Sequence, residues 1–303
     1  MTQIDSSIDQ VASTALSRDG ASVIRRRRRR NVAGSVVHHV LMATVVFVWL
    51  VPLLWMVSMS LSTDESLRTN ASSLIPTDFT LENFRNAFAI SLVGRWFLNS
   101  VIVTTSTTVL TVALCTLAGY AFAKLPFWGR AVLYAVVLGG LMVPFEAVFI
   151  PLFTMIADLG QHNTYPALIL PRIASALGVF VMTQFFSKVP KEYAEAAMVD
   201  GAGTWTVFFR IMLPLARPAI LSLAILAFVW SWNDYLWPLV SVSDRDMFTI
   251  TPGLASLKLQ WSNAQDLGSI MARGVVGAAP VLIAFVIFQR YLLRGITLSS
   301  GEK

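Results

Sequence analysis

Charge is scarce in this chain. Only 13% of its 303 residues are Asp, Glu, Lys or Arg, while 55% are hydrophobic. Soluble domains carry charge on about a quarter of their residues, so the composition excludes an ordinary water-soluble globule and points to the membrane class. Cysteine is nearly absent. Cys115 stands alone, which rules out an intramolecular disulfide framework, and its apolar surroundings suit a packing role. Histidine is limited to His38 and His39 at the start of an apolar run and His162 in a short polar stretch. No Cys/His spacing suggests a metal site, and no nucleophile–base constellation supports covalent catalysis. The chain also lacks a Gly-x-x-x-x-Gly-Lys-[Ser/Thr] phosphate loop, so it is not expected to hold ATP, or any other cofactor, itself.

What the chain has is long apolar runs separated by loops of alternating charge character. Residues 1–34 are polar and Ser-rich and close with Arg25 to Arg30, which reads as a disordered basic tail. That basic block sits beside an apolar run from Val36 to Met59, so it marks the inner end of a span rather than a nucleic-acid site. The run exceeds the roughly 7–15 residues of a signal-peptide core. Residues 60–94 are mildly acidic, as suits an outer loop. Further spans are expected at about 96–120, 131–153, 165–186, 216–240 and 271–293, each near the length needed for a hydrocarbon core of ~30 Å. The returns carrying Lys124 and Arg130, then Lys188, Lys191, Arg210 and Arg217, are basic; the stretches 158–164 and 241–272 are near neutral. Hydropathy and the positive-inside rule thus agree on six helices with both termini cytoplasmic, in an all-α integral membrane protein. The expected organisation is a tail (1–34), a first span with its outer loop (35–94), a five-helix core (95–290) and a C-terminal tail (291–303).

One polar stretch, Lys188 to Pro218, interrupts this pattern. Pro190 suits a first helical turn, and Glu192 and Glu195 favour the positive end of a helix dipole. Gly201 is placed to end that helix in a left-handed conformation. Thr204 is expected to cap a second short helix that Pro214 ends. Ala194, Ala196 and Ala197 have minimal side chains, which would let a partner backbone approach closely. The spacing Glu195-Ala196-Ala197, then Gly201, then Ile211, Leu213 and Pro214, resembles the EAA loop of importer-type ABC permeases.

The likeness extends over about residues 95–295. Asn99-Ser100, the Gly119 to Leu125 return, Met142-Val-Pro144, Ile150-Pro-Leu152 and Trp232-Asn233 resemble the sugar-importer branch, and in particular the smaller permease subunit of maltose-type systems. The resemblance implies a type I ABC importer permease in a bacterial plasma membrane that moves a sugar, a di- or oligosaccharide, into the cytoplasm. It implies that Glu195, Ala196, Ala197, Asp200, Gly201, Ile211, Leu213 and Pro214 dock a cytoplasmic ABC ATPase dimer. ATP and Mg would bind those partner subunits, and this chain would not be an enzyme. It further implies a second, homologous permease chain and an extracytoplasmic sugar-binding protein, with lipid around the spans and no nucleic acid. The tail departs from the family pattern after Gly295-Ile-Thr297.

Charges inside a bilayer are costly and mark function by default. Glu146 and Arg172 are expected to lie within adjacent spans, face the bundle interior and pair, either as a structural bridge or as sugar contacts. Trp230, Trp232, Asn233, Asp234 and Tyr235 supply the planar polar groups and aromatic faces that hold sugars. The neighbouring Tyr235 and Trp237 suit either that pathway or an interfacial aromatic belt. The Thr104–Thr108 run suits helix packing. An ion-coupled secondary transporter is the alternative; it would show inverted repeats and broken helices with midplane charges, and no clear repeat is present, while the cytoplasmic motif would be left unexplained. A membrane-embedded enzyme would need a nucleophile–base pair or metal ligands within the bilayer, and the one adjacent histidine pair, His38–His39, sits at the inner edge of the first run.

Overall fold

The computed structural model describes residues 35, 37–70, 75–76, 78–89, 92–258 and 267–299. The tail at 1–34, part of the outer stretch at 259–266 and the last four residues, 300–303, lie outside them. A first compact unit takes in the chain up to Ser58 together with Ser72–Ile75, and the elements from α2 onward belong to a second. The helix α1 runs Val37–Ser60. At about 1.5 Å per residue, its 24 residues exceed the ~30 Å apolar thickness of a bilayer.

The second unit opens with two short helices, α2 (Asp64–Asn70) and α3 (Glu82–Ala89). The central element is α4 (Val93–Lys124), a single helix of 32 residues. Next come α5 (Arg130–Gly139), α6 (Phe145–Asp158), α7 (Tyr165–Ile169), α8 (Ala176–Lys188) and α9 (Glu192–Val199). The chain continues through α10 (Thr204–Val207), α11 (Leu213–Leu215), α12 (Arg217–Trp232), α13 (Leu236–Ser241), α14 (Ile250–Lys258) and α15 (Leu267–Ser299).

Two of the expected spans are bent, and a third bend separates the polar stretch from the span that follows it. The segment 130–142 meets α6 at 100°, the segment 165–172 meets α8 at 47°, and the segment 204–215 meets α12 at 74°. Prolines stand at or near each break. Pro144 precedes α6 and lacks the N–H a continuing helix needs; the residue before it, Val143, is extended (φ −93°, ψ 111°), as a pre-proline residue prefers. Three helices are long and apolar enough to cross a membrane as they stand, and the number reaches six when each bent pair is taken as one span.

Helix α4 packs along α8 and α12, and α12 packs on α15. Small residues allow the closest of these approaches. A Cβ on Gly119 would fall 2.5 Å from Met182 Cβ, and one on Gly178 would fall 2.6 Å from Cys115 Sγ. Cys115 is therefore a buried packing residue, as its apolar setting implies. Among the described residues, three clusters form the core. One gathers Cys115, Tyr120, Met182, Phe186, Phe208 and Met212. A second gathers Val93, Trp96, Leu168, Trp232, Phe248 and Ile250. The smallest gathers Ile156, Ala167 and Trp237.

The start of α4 is fixed by polar bonds. The buried Asn99 Nδ2 donates to the carbonyls of Asp246 (2.8 Å) and Phe248 (2.9 Å), and its Oδ1 accepts from the Tyr165 hydroxyl (2.7 Å). Ser100 Oγ accepts from the Ile250 N–H at 2.7 Å. The Asn99-Ser100 pair thus staples the segment before α14 onto α4. Thr104 is buried, in keeping with a packing role, whereas Thr107 of the same run borders a cavity and Thr105 is exposed.

Candidate functional site

Two features stand out: a projecting helix-turn-helix and a cavity between the bent helix pairs. In the first, α9 begins after Lys191, with Glu192 and Glu195 in its first turn. Pro190 stands one residue ahead of the cap. At the other end Gly201 adopts φ +84°. Its N–H bonds the Met198 carbonyl at 3.0 Å, and the Ala202 N–H bonds that of Ala197 at 2.9 Å. These two bonds form a Schellman stop, as expected of that glycine.

The second half differs from expectation. Gly203, not Thr204, occupies the cap position; Thr204 is the first residue of α10. Pro214 does not end the helix, which runs on to Leu215. A π-type turn over Phe208–Met212 precedes the proline. The wider turn relieves the clash between a proline ring and the carbonyl four residues back, so the sharp bend falls instead at Ala216.

This element has an inner and an outer face. Val207, Phe208 and Met212 are buried, and the Phe208 ring lies 4.9 Å from that of Tyr120 on α4. Ala194 and Ala197 pack on the same core, while Ala196 is exposed. Only Ala196 of the three alanines is therefore free for a partner. Glu195, Asp200, Gly201 and Pro214 are exposed as well, and Ile211 and Leu213 are half-buried. Around them lies an apolar surface that carries Val199 (87% exposed), Trp205 (66%) and Phe209 (55%), the last two rings stacked at 5.9 Å. Lys124, at the end of α4, donates to the Val189 carbonyl at 2.5 Å, tying the main helix to the segment that leads into α9.

The cavity, about 1130 Å³, is walled by α4, by the breaks at 140–145 and 171–176, and by the end of α12 with residues 233–236. Arg172 and Asp234 meet there at 2.7 Å. The guanidinium also lies 4.1 Å from the centroid of the Phe145 ring, a cation–π contact. The second oxygen of Asp234 accepts from the Trp237 N–H at 3.4 Å. The expected Glu146–Arg172 pair is not formed. Successive helical side chains project about 100° apart, and the turn at Pro144 aims Phe145 at the arginine, leaving Glu146 exposed in the first turn of α6. There its charge is favoured by the helix dipole.

Of the other sugar-pathway candidates, Asn233 lines the cavity, together with the exposed Trp230 and Tyr235. Trp232 does not. It is 2% exposed, packs on Phe97 and Phe228, and donates from Nε1 to the Gly277 carbonyl at 2.9 Å. Trp237 is no interfacial residue either: it is fully buried, bonds the Ala167 carbonyl at 2.9 Å and meets Phe145 and Phe149 edge-on. Sequence reasoning passed over Ala174 and Ser175 in the cavity wall, and read Lys124 as a marker of the inner side rather than as a tie beneath the loop. Only the Pro171-Arg172 break hinted at the first two.

Comparison with known proteins follows the same lines. Residues 115–298 match the model of the binding-protein-dependent transport system inner membrane component family. The arabinooligosaccharides transport system permease protein AraQ of Halalkalibacterium halodurans is 39% identical over 258 residues, covering 84% of this chain and 92% of that one. The diacetylchitobiose uptake system permease protein NgcG of Streptomyces coelicolor is 35% identical over 265 residues, 87% of each chain. The trehalose/maltose transport system permease protein MalG of Thermococcus litoralis is 32% identical over 271 residues, covering 86% of this chain and 94% of that one. In fold, the chain is similar to a bacterial ABC transporter that imports the acidic polysaccharide alginate, with a TM-score of 0.74 and 22% identity over 85% of this chain and 95% of that one. On its sequence and its architecture, this chain belongs to the binding-protein-dependent transport system inner membrane component family.

Proposed function

We propose that the chain is the membrane-spanning permease subunit of an ATP-driven importer that carries an oligosaccharide across the plasma membrane. The observation that carries the reading is the helix-turn-helix at 192–215. It is anchored to the core by Val207, Phe208 and Met212 and presents an exposed apolar face with Ala196 and Gly201 at its turn. Soluble surfaces seldom expose such a contiguous apolar patch without a partner. The partner is a cytoplasmic ATPase, which binds ATP and Mg; Glu195, Ala196, Asp200, Gly201 and Pro214 meet it, while Ala197, Ile211 and Leu213 hold the loop in shape from within.

In this reading the chain crosses the membrane six times, with both termini cytoplasmic and the loop on the same side. A second, homologous permease completes the translocation path, and an extracytoplasmic binding protein delivers the sugar. The relatives named for arabinooligosaccharides, diacetylchitobiose and trehalose or maltose support a sugar cargo. Trp230 and Tyr235 offer ring faces to the apolar C–H faces of a sugar, and Asn233 offers an amide to its hydroxyls. Work is done mechanically. ATP binding closes the ATPase pair, and the rigid loop passes that movement into α4 and α12. Nucleotide shifts the equilibrium between outward and inward forms only through contacts that differ between them. The ion-coupled alternative finds no support in the family match.

The reading is tested by co-expressing the chain with its sister permease and ATPase and purifying it in mild detergent. Retention of the ATPase, with ATP-driven uptake of an arabino- or malto-oligosaccharide into proteoliposomes supplied with binding protein, is expected. Loss of the ATPase from an otherwise intact permease pair would sink it.

A further inference from the structure

Among the described residues, Arg172 and Asp234 are the only charged side chains in the cavity wall. They hold each other at 2.7 Å, with side-chain exposures of 28% and 10%. The carboxylate is committed twice, to the guanidinium and to the Trp237 N–H, and the guanidinium is covered on one face by Phe145. The remaining polar wall groups, such as Ser175, Ser231, Asn233 and Tyr235, are uncharged.

We propose that the Arg172–Asp234 pair is a charge-selectivity element: each side chain neutralises the other, so the cavity admits uncharged polyhydroxy ligands and disfavours acidic sugars such as uronates. The inference rests on the cavity being the sugar path. A carboxylate entering this wall loses water and gains little net attraction, because the charge of Arg172 is already offset by Asp234 at 2.7 Å. A neutral sugar keeps its hydroxyl bonds and disturbs neither ion. Removing one partner exposes the charge of the other to whatever enters. Asp234→Asn makes the wall cationic, and Arg172→Gln makes it anionic.

Ala174 lines the cavity two residues from Arg172 and is exposed, which makes it a site for a reporter thiol. The test uses the assembled importer in detergent, with Cys115→Ala and Ala174→Cys in every variant. The thiol is modified with 2-sulfonatoethyl methanethiosulfonate, an anion, and with 2-(trimethylammonium)ethyl methanethiosulfonate, a cation. The readout is the ratio of the two rates, so changes in access common to both reagents cancel.

One unit charge uncovered a few ångströms away shifts such a ratio by on the order of tenfold. Asp234→Asn is expected to raise the anion-to-cation ratio by that factor and Arg172→Gln to lower it similarly. The double variant returns it near the parent. A bridge that merely holds the helix break to α13 would move both single variants the same way, or neither, and that result overturns the proposal. If Asp234→Asn fails to assemble, the Arg172→Gln and double variants carry the same test of sign. A parent thiol that reacts with neither reagent would show that the cavity is not an aqueous path, which removes the sugar-path reading as well.

Discussion

Gly201 and Gly203 stand two residues apart in the turn between α9 and α10, and one substitution at both separates backbone geometry from steric room. A Cβ added at either position meets nothing within 4 Å, so crowding drops out of the comparison. Gly201 sits at φ +84°, where an L-residue costs about 1–2 kcal/mol. Gly203 sits at φ −74°, ψ 164° as the cap of α10, a conformation any residue adopts and a position where serine equals or betters glycine. Gly201→Ser should therefore strain the turn, while Gly203→Ser should leave it unchanged or tighten it slightly. If the ATPase recognises the turn in its native form, the strain appears as weaker docking. The expected loss for Gly201→Ser is about 5–30-fold in ATPase affinity, against less than about twofold for Gly203→Ser. Gly201→Asn should fall between, since asparagine tolerates the left-handed region best of the L-residues. The assay is titration of labelled ATPase subunit onto the permease pair in lipid nanodiscs. Equal effects at the two positions, or a harmless Gly201→Ser, would refute the view that docking reads the turn's geometry.

Two further outcomes follow from close contacts elsewhere. Gly178→Ala should destabilise the purified complex by about 1–3 kcal/mol, since its Cβ would lie 2.6 Å from Cys115 Sγ. Adding Cys115→Ala leaves the nearest cysteine-derived atom at 3.2 Å, so thermal unfolding in detergent should show most of the loss restored. Lys124→Met removes the charged donor on the Val189 carbonyl, a bond of about 1.5–3 kcal/mol. Basal ATP hydrolysis should persist while sugar taken up per ATP falls. Lys124→Arg should recover part of the coupling, and unchanged coupling in Lys124→Met would rule out this link as part of the lever.

The amino-acid sequence by itself determined the class of the protein and the place of its helix-turn-helix loop. Apolar run length and basic returns are one-dimensional signals, because the bilayer imposes length and the translocation machinery reads charge locally. The Schellman stop at Gly201 was legible for the same reason: it depends on a few neighbouring backbone groups. Where a signal was local but its solution was not, the reading slipped. Pro214 does stop an ordinary helix, yet the π turn over Phe208–Met212 absorbs it, and that turn is held by burial of Phe208 against Tyr120 on α4.

Only the tertiary structure decided which charges meet and which aromatics face the cavity. Glu146 and Asp234 were both available to Arg172 by composition and depth. The choice fell to Asp234 because the 100° bend before α6 rotates Glu146 away and puts Phe145 in its place. Trp230, Trp232 and Trp237 are alike on paper. One borders the cavity and two are sealed in the core by hydrogen bonds to the carbonyls of Gly277 and Ala167. Side-chain direction at a helix break depends on the angle of the break, and that angle is set by packing between elements far apart in the chain.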